Sequence, residues 1–420
     1  MKDLIKTVIF DQQRMVWNKR FIHRSFPQNI IISELIVVIS GIRRCGKSTL
    51  LNQIRNENKE KDYYMNFDDE RLIRFSVEHF QLLHETFIEL FGIQKTFYFD
   101  EIQNIPDWER FVRRLYDEGY KIFITGSNAS MLSHELGTHL TGRYVQTELF
   151  PFSFAEFLTY KQFALTESGM YTTDGRAKLI GYFNEYFRTG GFPLYLKEGN
   201  DDYLKSLYES ILYRDVLVRN KLVNEKELLE LVNYLASNVS KLTSFNGLTK
   251  VAGVKNATTI RNYLSFLQDT YLIFQISKFD YSLKKQIQNL KKTYFIDNAL
   301  IRRLGFMFSE EKGRLLENIV FLELRRRRFE IFYHFNRFEC DFLIRQGITI
   351  VKAIQVCYSF DTNETKTREI NGLLEAMKIY SLTEGSILLY DTQEQTIEEN
   401  GKLIRIIPVW KWLLEKETHS

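Results

Sequence analysis

Between residues 31 and about 160, short apolar runs alternate with stretches in which apolar residues recur at helical spacing. Four of the runs are rich in β-branched and aromatic residues, which is typical of buried strands. They lie at 35–40, 63–67, 96–101 and 121–128. Directly after the first run, the spacing of Leu50, Leu51 and Ile54 predicts a helix. This alternation predicts an α/β fold with a parallel sheet.

The flanking segments are predicted to be helical. Residues 1 to about 30 form a lead-in in which Trp17, Phe21 and Ile22 share one face, and this segment either docks on the sheet domain or contacts adenine. Its charge comes from Arg14, Lys19, Arg20 and Arg24. Residues 150 to about 225 are predicted to be helical, and residues 161–225 are predicted to form a helical lid.

The next segment, residues 226–297, has the pattern of a winged helix. A first helix carries apolar residues from Leu228 to Leu235, and Asn256 is a candidate N-cap for a second helix. Apolar runs at 271–276 and 292–296 predict the two strands of the wing.

The last segment, residues 310–420, is predicted to be a small α/β domain. A helix at 314–328 precedes strands at 329–335, 338–344 and 348–358. The run Arg325–Arg328 at the end of that helix is either solvated or phosphate-binding. The predicted domains are therefore 1–160, 161–225, 226–300 and 301–420.

Charge adds to this picture in one place. The 57 basic and 53 acidic residues are too balanced, by themselves, to argue for nucleic acid. Between Lys250 and Lys292, however, there are eight basic and two acidic residues. This local excess predicts that residues 250–292 contact DNA phosphates. The alternative is that the winged-helix segment serves as a lid or as a protein-interaction module. The candidate contacts are Lys255, Arg261, Lys284 and Lys285.

The compartment is predicted to be the cytoplasm. The three cysteines are odd in number and lack metal-ligand spacing. The first ten residues are too charged for a signal peptide. Because Ser33 and Glu34 interrupt the longest apolar stretch, no membrane span is expected.

The most informative motif is the run Gly41–Thr49, which has the spacing G-x-x-x-x-G-K-[ST] of a phosphate-binding loop. Glycines let successive backbone N–H groups face a polyphosphate, and the following helix N-terminus adds a favourable dipole. Lys47 can reach the β- and γ-phosphates, and Ser48 can ligate Mg²⁺. The predicted nucleotide-binding residues are Gly41, Arg43, Arg44, Cys45, Gly46, Lys47, Ser48 and Thr49.

Two adjacent carboxylates, Asp100 and Glu101, end the third predicted strand. In open α/β sheets, ligands bind at the carboxyl ends of the strands. Asp100 is therefore predicted to hold Mg²⁺ together with Ser48, and Glu101 to act as general base or water-orienting group. At the end of the fourth strand, Ser127 or Asn128 could hydrogen-bond the attacking water or the γ-phosphate.

These motifs resemble those of AAA+ ATPases, and more narrowly the prokaryotic AAA_14 family. The residues that carry the resemblance are Gly41–Ser48, Asn66–Asp69, Asp100–Gln103, Ile124–Asn128, Leu140–Tyr144 and Phe150–Phe154. The resemblance implies that Asn128 is the sensor-1 residue and that Arg143 is a candidate arginine finger acting in trans in a homo-oligomer. The alternative for Arg143 is a surface salt bridge. ATP is expected rather than GTP, because no guanine-reading motif follows the fourth strand.

The C-terminal segment resembles the DUF4143 domain, whose fold is like that of PD-(D/E)xK nucleases. The matching residues are Leu316–Asn318, Glu339–Phe342 and Ile354–Cys357. Glu317 and Asp341 fit such a site, but Gln355 and Cys357 stand where an acid and a lysine are expected. Cysteine carries no positive charge near pH 7. Lys352 has the wrong strand parity to replace the lysine, which leaves Lys366 on the following segment as the candidate. A degenerate fold used for DNA or protein contact is therefore favoured over a Mg²⁺-dependent nuclease.

Together these patterns predict an ATP-binding and ATP-hydrolysing AAA+ protein that couples its nucleotide state to DNA or protein contacts of its C-terminal modules. The alternatives are a nucleotide-regulated DNA-binding protein with little turnover and a Mg²⁺-dependent DNA nuclease.

Overall fold

The computed structural model describes residues 1–14, 21–24, 26–127, 140–166, 170–305 and 311–415. It divides into two compact units. The first comprises Met1–Phe150 with Asp269–Tyr271, and the second comprises Pro151–Gln268 with Leu272–Ser420. Residues on both sides of the predicted boundaries at 160, 225 and 300 belong to the second unit, so that finer division stays a prediction.

A five-stranded parallel sheet forms the centre of the first unit, with strand order β2-β3-β4-β1-β5. The strands are β1 Ile36–Ser40, β2 Tyr64–Asn66, β3 Thr96–Asp100, β4 Lys121–Gly126 and β5 Tyr144–Glu148. The four predicted strands are confirmed. The fifth was not predicted, because its sequence Tyr-Val-Gln-Thr-Glu contains no apolar run and only Thr147 within it is buried.

Helices flank this sheet, and an aromatic core fills the space between them. The helices are α1 Lys2–Arg14, α2 Gln28–Ile31, α3 Lys47–Glu57, α4 Phe80–Phe91 and α5 Trp108–Asp117. Single 3₁₀ turns lie at Glu70–Leu72, Val77–His79 and Ile102–Asn104. Phe80 stacks on Phe111 at 4.6 Å between ring centroids, and Tyr63 stacks on Phe87 at 4.9 Å. Such buried rings hold α4 and α5 against the sheet.

The second unit begins with helices and continues into a small antiparallel sheet of order β6-β8-β7. The helices before and within that sheet are α6 Phe154–Tyr160, α7 Thr173–Thr189, α8 Pro193–Glu198, α9 Asp201–Ser210, α10 Glu225–Ser237, α11 Phe245–Val251, α12 Ala257–Asp269 and α13 Leu283–Gln288, with a π-helical stretch at Ile211–Val218. The strands are β6 Leu242–Thr243, β7 Ile273–Ser277 and β8 Lys291–Phe295. As predicted, the Asn256 side chain accepts a hydrogen bond from the backbone of Thr259 at the start of α12 (2.9 Å).

A mixed six-stranded sheet of order β13-β14-β12-β11-β10-β9 completes the second unit. Its strands are β9 Glu330–Phe335, β10 Glu339–Gln346, β11 Thr349–Cys357, β12 Glu384–Leu389, β13 Gln395–Glu399 and β14 Lys402–Pro408. The accompanying helices are α14 Asn298–Leu304, α15 Lys312–Arg326, α16 Asn363–Ile379 and α17 Val409–Trp412. The predicted helix and its three following strands are confirmed as α15 and β9 to β11. Among the described helices, none has the length and apolar character needed to cross a membrane.

The arginine run at the end of α15 corrects a prediction. The Arg326 guanidinium donates to the backbone carbonyls of Pro151 and Phe152, at 3.1 and 3.3 Å. Arg327 donates to the carbonyl of Trp412 at 2.8 Å and stacks on that indole ring. Both side chains are largely buried, so these two arginines are neither a solvated helix end nor a phosphate-binding patch.

Candidate nucleotide site

The phosphate-loop motif lies between β1 and the first residue of α3. Two of its glycines have backbone angles that other residues adopt only with strain, φ +150° at Gly41 and +107° at Gly46. A Cβ atom at Gly41 would lie 2.2 Å from the carbonyl oxygen of Leu149. The curled loop therefore requires glycine at both positions.

The side chain of Lys47 lies inside this loop, with only 4% of the residue exposed. Its ammonium donates to the carbonyl oxygens of Gly41 and Ile42, at 3.1 and 3.2 Å. A carboxylate oxygen of Glu101 lies 3.6 Å away. The two residues that were predicted to meet the γ-phosphate therefore lie together at the carboxyl edge of the sheet.

Asp100 is fully buried at the end of β3 and is surrounded by hydroxyl groups. One carboxylate oxygen accepts hydrogen bonds from Ser48 (3.1 Å) and from Thr125, and the other accepts one from Tyr64 (3.4 Å). The predicted pair of Ser48 and Asp100 is thus in direct contact. Sequence reasoning missed Thr125 and Tyr64, although a threonine near the end of an apolar strand is a usable signal.

Burial is the main reason that the pKa of Asp100 is raised to about 6, and the neighbouring charge of Glu101 adds to it. The hydroxyls of Thr125 and Ser48 and the charge of Lys47 oppose the shift without cancelling it. A buried carboxylate that is held mainly by hydroxyl donors favours the arrival of a cation. The hydroxyl of Ser48 and the carboxylate of Asp100 therefore fit a Mg²⁺ ion chemically, because both are hard oxygen ligands.

Glu101 has an unusual backbone conformation for a residue other than glycine, with φ +51°. Its N–H donates to the Thr125 hydroxyl at 3.0 Å, and its carboxylate accepts a hydrogen bond from Gln103. Its side chain is 20% exposed, unlike that of Asp100. The turn after β3 therefore directs one carboxylate into the protein and leaves the adjacent one accessible from solvent.

Comparison with known proteins identifies the family of this chain. An AAA domain family model (AAA_14) matches residues 33–158, and the model of a domain of unknown function (DUF8612) matches residues 180–311. The uncharacterized protein MJ1544 of Methanocaldococcus jannaschii is 37% identical over 98% of this chain and 96% of its own length. An uncharacterized protein of Haemophilus influenzae is 30% identical over 91% of this chain and 95% of its own length. The chain belongs to their family. Its residues 33–158 form an AAA domain.

Two solved structures are also similar. One is AMPPCP-bound DnaA from Aquifex aeolicus, with 16% identity and a TM-score of 0.24 over 57% of this chain and 84% of that one. The other is the Aeropyrum pernix ORC2 protein in its ADP form. It has 11% identity and a TM-score of 0.34 over 74% of this chain and 98% of its own.

The other predicted loop residues lie around the AAA domain's phosphate loop. Arg43 is half-buried and Arg44 is exposed, while Cys45 is buried, which raises the pKa of its thiol. Arg24 was predicted only to supply charge to the lead-in, yet it is buried. It donates to the carbonyls of Cys45 (2.9 Å) and Phe150 (2.7 Å), and so supports the loop from the N-terminal segment.

Asn128 and Arg143 are the other two predicted catalytic residues of the AAA domain. Asn128 falls outside the described residues, whereas Ser127 is buried at the end of β4. Arg143 precedes β5, and β5 runs parallel to β1, so Arg143 lies at the edge of the sheet opposite its own phosphate loop. Its guanidinium pairs with Asp117 at 3.1 Å. An action in trans therefore stays a prediction.

In the second unit, the structure brings together residues of the predicted nuclease-like site. A lysine that was not part of that prediction lies among them. Glu317 and Asp341 both contact the ammonium of Lys292, a residue that was assigned only to the wing. Gln355 accepts a hydrogen bond from the backbone N–H of Asp341 (3.2 Å). Lys366 is exposed and does not reach this cluster.

We predict that replacing Asp100 by Asn stabilises the nucleotide-free protein at pH 7 by up to about 3 kcal/mol, at about 1.4 kcal/mol for each pKa unit. A carboxyl whose pKa rises from 3.8 to about 6 on folding destabilises the native state as pH increases between those values. The difference between variant and wild type should therefore appear between about pH 4 and pH 6. Denaturant unfolding at a series of pH values measures it.

Asp3, exposed on α1, supplies the control, since Asp3→Asn removes one carboxylate and leaves the surroundings of Asp100 intact. Equal profiles for wild type and Asp100→Asn would contradict the pKa shift of Asp100.

Proposed function

We propose that this protein hydrolyses ATP and couples the nucleotide state to DNA contacts made by its second unit. The observation that carries the first half is the meeting of Lys47, Ser48, Asp100 and Glu101 at the carboxyl edge of the parallel sheet. The AAA domain match of residues 33–158 supports it.

Each of these residues has a role that follows from its chemistry. The backbone N–H groups of the loop and the Lys47 ammonium bind the phosphates and stabilise charge on them. Ser48 and Asp100 would hold Mg²⁺, which neutralises phosphate charge when bound. Glu101 orients the attacking water and accepts its proton, a role that suits the more accessible of the two carboxylates.

The DNA half of the proposal rests on four exposed basic side chains near α12 and α13: Lys255, Arg261, Lys284 and Lys285. The order of α10 to α12, followed by β7 and β8, supports the winged-helix interpretation. Two of the eight basic residues in segment 250–292 must be withdrawn from the predicted surface. Lys291 donates to Ser277 and to the carbonyl of Gln286, both at 2.7 Å, and Lys292 is buried.

We also propose that the C-terminal sheet has the nuclease-like fold of DUF4143 domains. The positions of Glu317 on α15 and Asp341 on β10 support this. The nuclease alternative gains no support from their surroundings. The thiol of Cys357 has a pKa raised to about 11 by burial, and is therefore neutral where a nuclease needs a lysine.

We predict that Glu101→Gln retains ATP binding and lowers turnover at least about 100-fold, as expected for loss of a general base. Fluorescent-nucleotide binding and phosphate release measure the two quantities. Lys47→Ala should lose binding as well, and Glu118→Gln, an exposed change in the same unit, should alter neither. Tight ATP binding by a wild type that never releases phosphate would favour the nucleotide-regulated binding protein instead.

The trans-acting arginine finger can be tested with a matched pair, because Arg143 and Arg113 both pair with Asp117. We predict that Arg143→Ala lowers turnover by about 10³-fold or more while Arg113→Ala does not. Mixing Arg143→Ala protein with Glu101→Gln protein should restore part of the activity, because one subunit then supplies each missing group. Equal effects of the two arginine variants would instead assign Arg143 to a surface salt bridge.

We predict that the double variant Lys255→Ala/Arg261→Ala weakens binding to duplex DNA and lowers the slope of log K against log salt by about 1.8, at about 0.9 for each phosphate that is no longer neutralised. Lys197→Ala/Lys226→Ala carries the same charge change at exposed positions outside segment 250–292. Fluorescence anisotropy at several salt concentrations compares the two. If both variants behave alike, only net charge matters and residues 250–292 form no specific DNA surface.

A further inference from the structure

The most unusual group in the second unit is the ammonium of Lys292, on the central strand β8 of the three-stranded sheet. The residue is 1% exposed. Its nitrogen lies 2.9 Å from Glu317, 2.6 Å from Glu339 and 2.9 Å from Asp341. These acids come from α15 and β10, so one buried cation joins three elements of the fold.

Two of the three contacts are hydrogen bonds, which the ammonium donates to Glu317 and Asp341, and the third is an ion pair with Glu339. Burial opposes the charge on Lys292, but the carboxylates of Asp341 and Glu317 outweigh it, and the pKa of Lys292 lies well above its ordinary value. The lysine is therefore charged at neutral pH.

Other groups of the second unit also donate to these carboxylates. Tyr294 donates to Glu317 at 2.6 Å, and the backbone N–H of Val356 donates to the second oxygen of Asp341 at 2.9 Å. The amide of Gln355 accepts from the Asp341 backbone and donates to Glu369. Its oxygen thus serves the fold rather than a ligand.

A divalent ion does not fit this arrangement. In nuclease-like folds Mg²⁺ binds carboxylate oxygens at about 2.1 Å, and here the oxygens of three carboxylates converge on a nitrogen instead. A second cation on the same oxygens would be repelled by the ammonium. Within the part of the chain that the structure describes, no group of three or more Asp, Glu, His or Cys side chains is arranged to hold a metal.

We propose that the Lys292 ammonium is the permanent cation of this cluster, that it takes the place of a metal ion, and that it ties the three-stranded sheet to the six-stranded sheet. Lys292 pairs with Leu242 on one side and Ile276 on the other, so backbone pairing on both sides fixes the position from which its side chain reaches the carboxylates. The cluster is an ion-pair lock rather than a nuclease centre. When the lysine side chain is removed, the three carboxylates are free to draw together around a divalent cation.

The test uses the full chain carrying Asp100→Asn, which removes the metal ligand at the nucleotide site, and Mn²⁺ as the probe. Binding is followed through the electron paramagnetic resonance signal of free Mn²⁺. We expect no bound ion in this background. One ion per chain should bind when Lys292→Ala is added, and it should be lost again when Asp341→Asn is added as well. Lys291→Ala on the same strand is the matched control and should bind none.

Two results would overturn the proposal. One is an ion in the background protein that Asp341→Asn removes, because the cluster would then be a metal site despite the lysine. The other is a folded Lys292→Ala protein without a bound ion.

A thermal measurement covers the case in which Lys292→Ala folds poorly. Because Lys292→Ala removes one partner of a buried ion cluster, the melting temperature of this variant should fall by on the order of 10 °C. Millimolar Mn²⁺ should recover part of that loss in Lys292→Ala and leave the background protein unchanged. A melting temperature that Lys292→Ala does not lower, or that Mn²⁺ raises equally in both proteins, would contradict the lock.

Discussion

The AAA domain depends on how it accommodates one buried negative charge, the carboxylate of Asp100. A charge removed from water destabilises the fold unless polar groups surround it. Here the hydroxyls of Ser48, Tyr64 and Thr125 do so, and they come from α3, β2 and β4. Because hydroxyl dipoles only partly offset a full charge, the carboxylate retains an affinity for cations. The same contacts that order the edge of the sheet therefore also support the magnesium and phosphate binding that we propose.

The second unit solves the same problem in the opposite way. Its carboxylates are compensated by an ammonium that belongs to the chain, and that ammonium is held at 2.6–2.9 Å. The full positive charge of the ammonium neutralises the carboxylates without an external ion. The cluster therefore connects two sheets instead of binding a metal. In the nuclease-like interpretation that we propose, Gln355 and Cys357 stand where an acid and a lysine are expected. Neither position has to support a metal.

How far the sequence predicted this structure depended on whether the information was local. The four central strands were apparent from apolar runs, and the phosphate loop with its acidic partners from fixed spacing along the chain. Strand β5 was missed because its residues are mostly half-exposed and polar. Lys292 and Arg326 were misread for a different reason. A basic residue in a basic stretch resembles a surface residue, and its partners lie 25, 49 or more than 170 positions away. No local pattern encodes such contacts.

The lock at Lys292 bears on how DNA contact would be controlled. Helix α13, with exposed Lys284 and Lys285, lies between β7 and β8 in the sequence, and β8 pairs along its whole length with β7. Anchoring β8 through a buried cation therefore also fixes the base of the segment that presents these lysines. A flexible wing would lose conformational entropy on meeting phosphate, whereas an anchored one has already lost it during folding. Because the anchoring cation is part of the chain, the orientation of this surface does not depend on the availability of a metal ion.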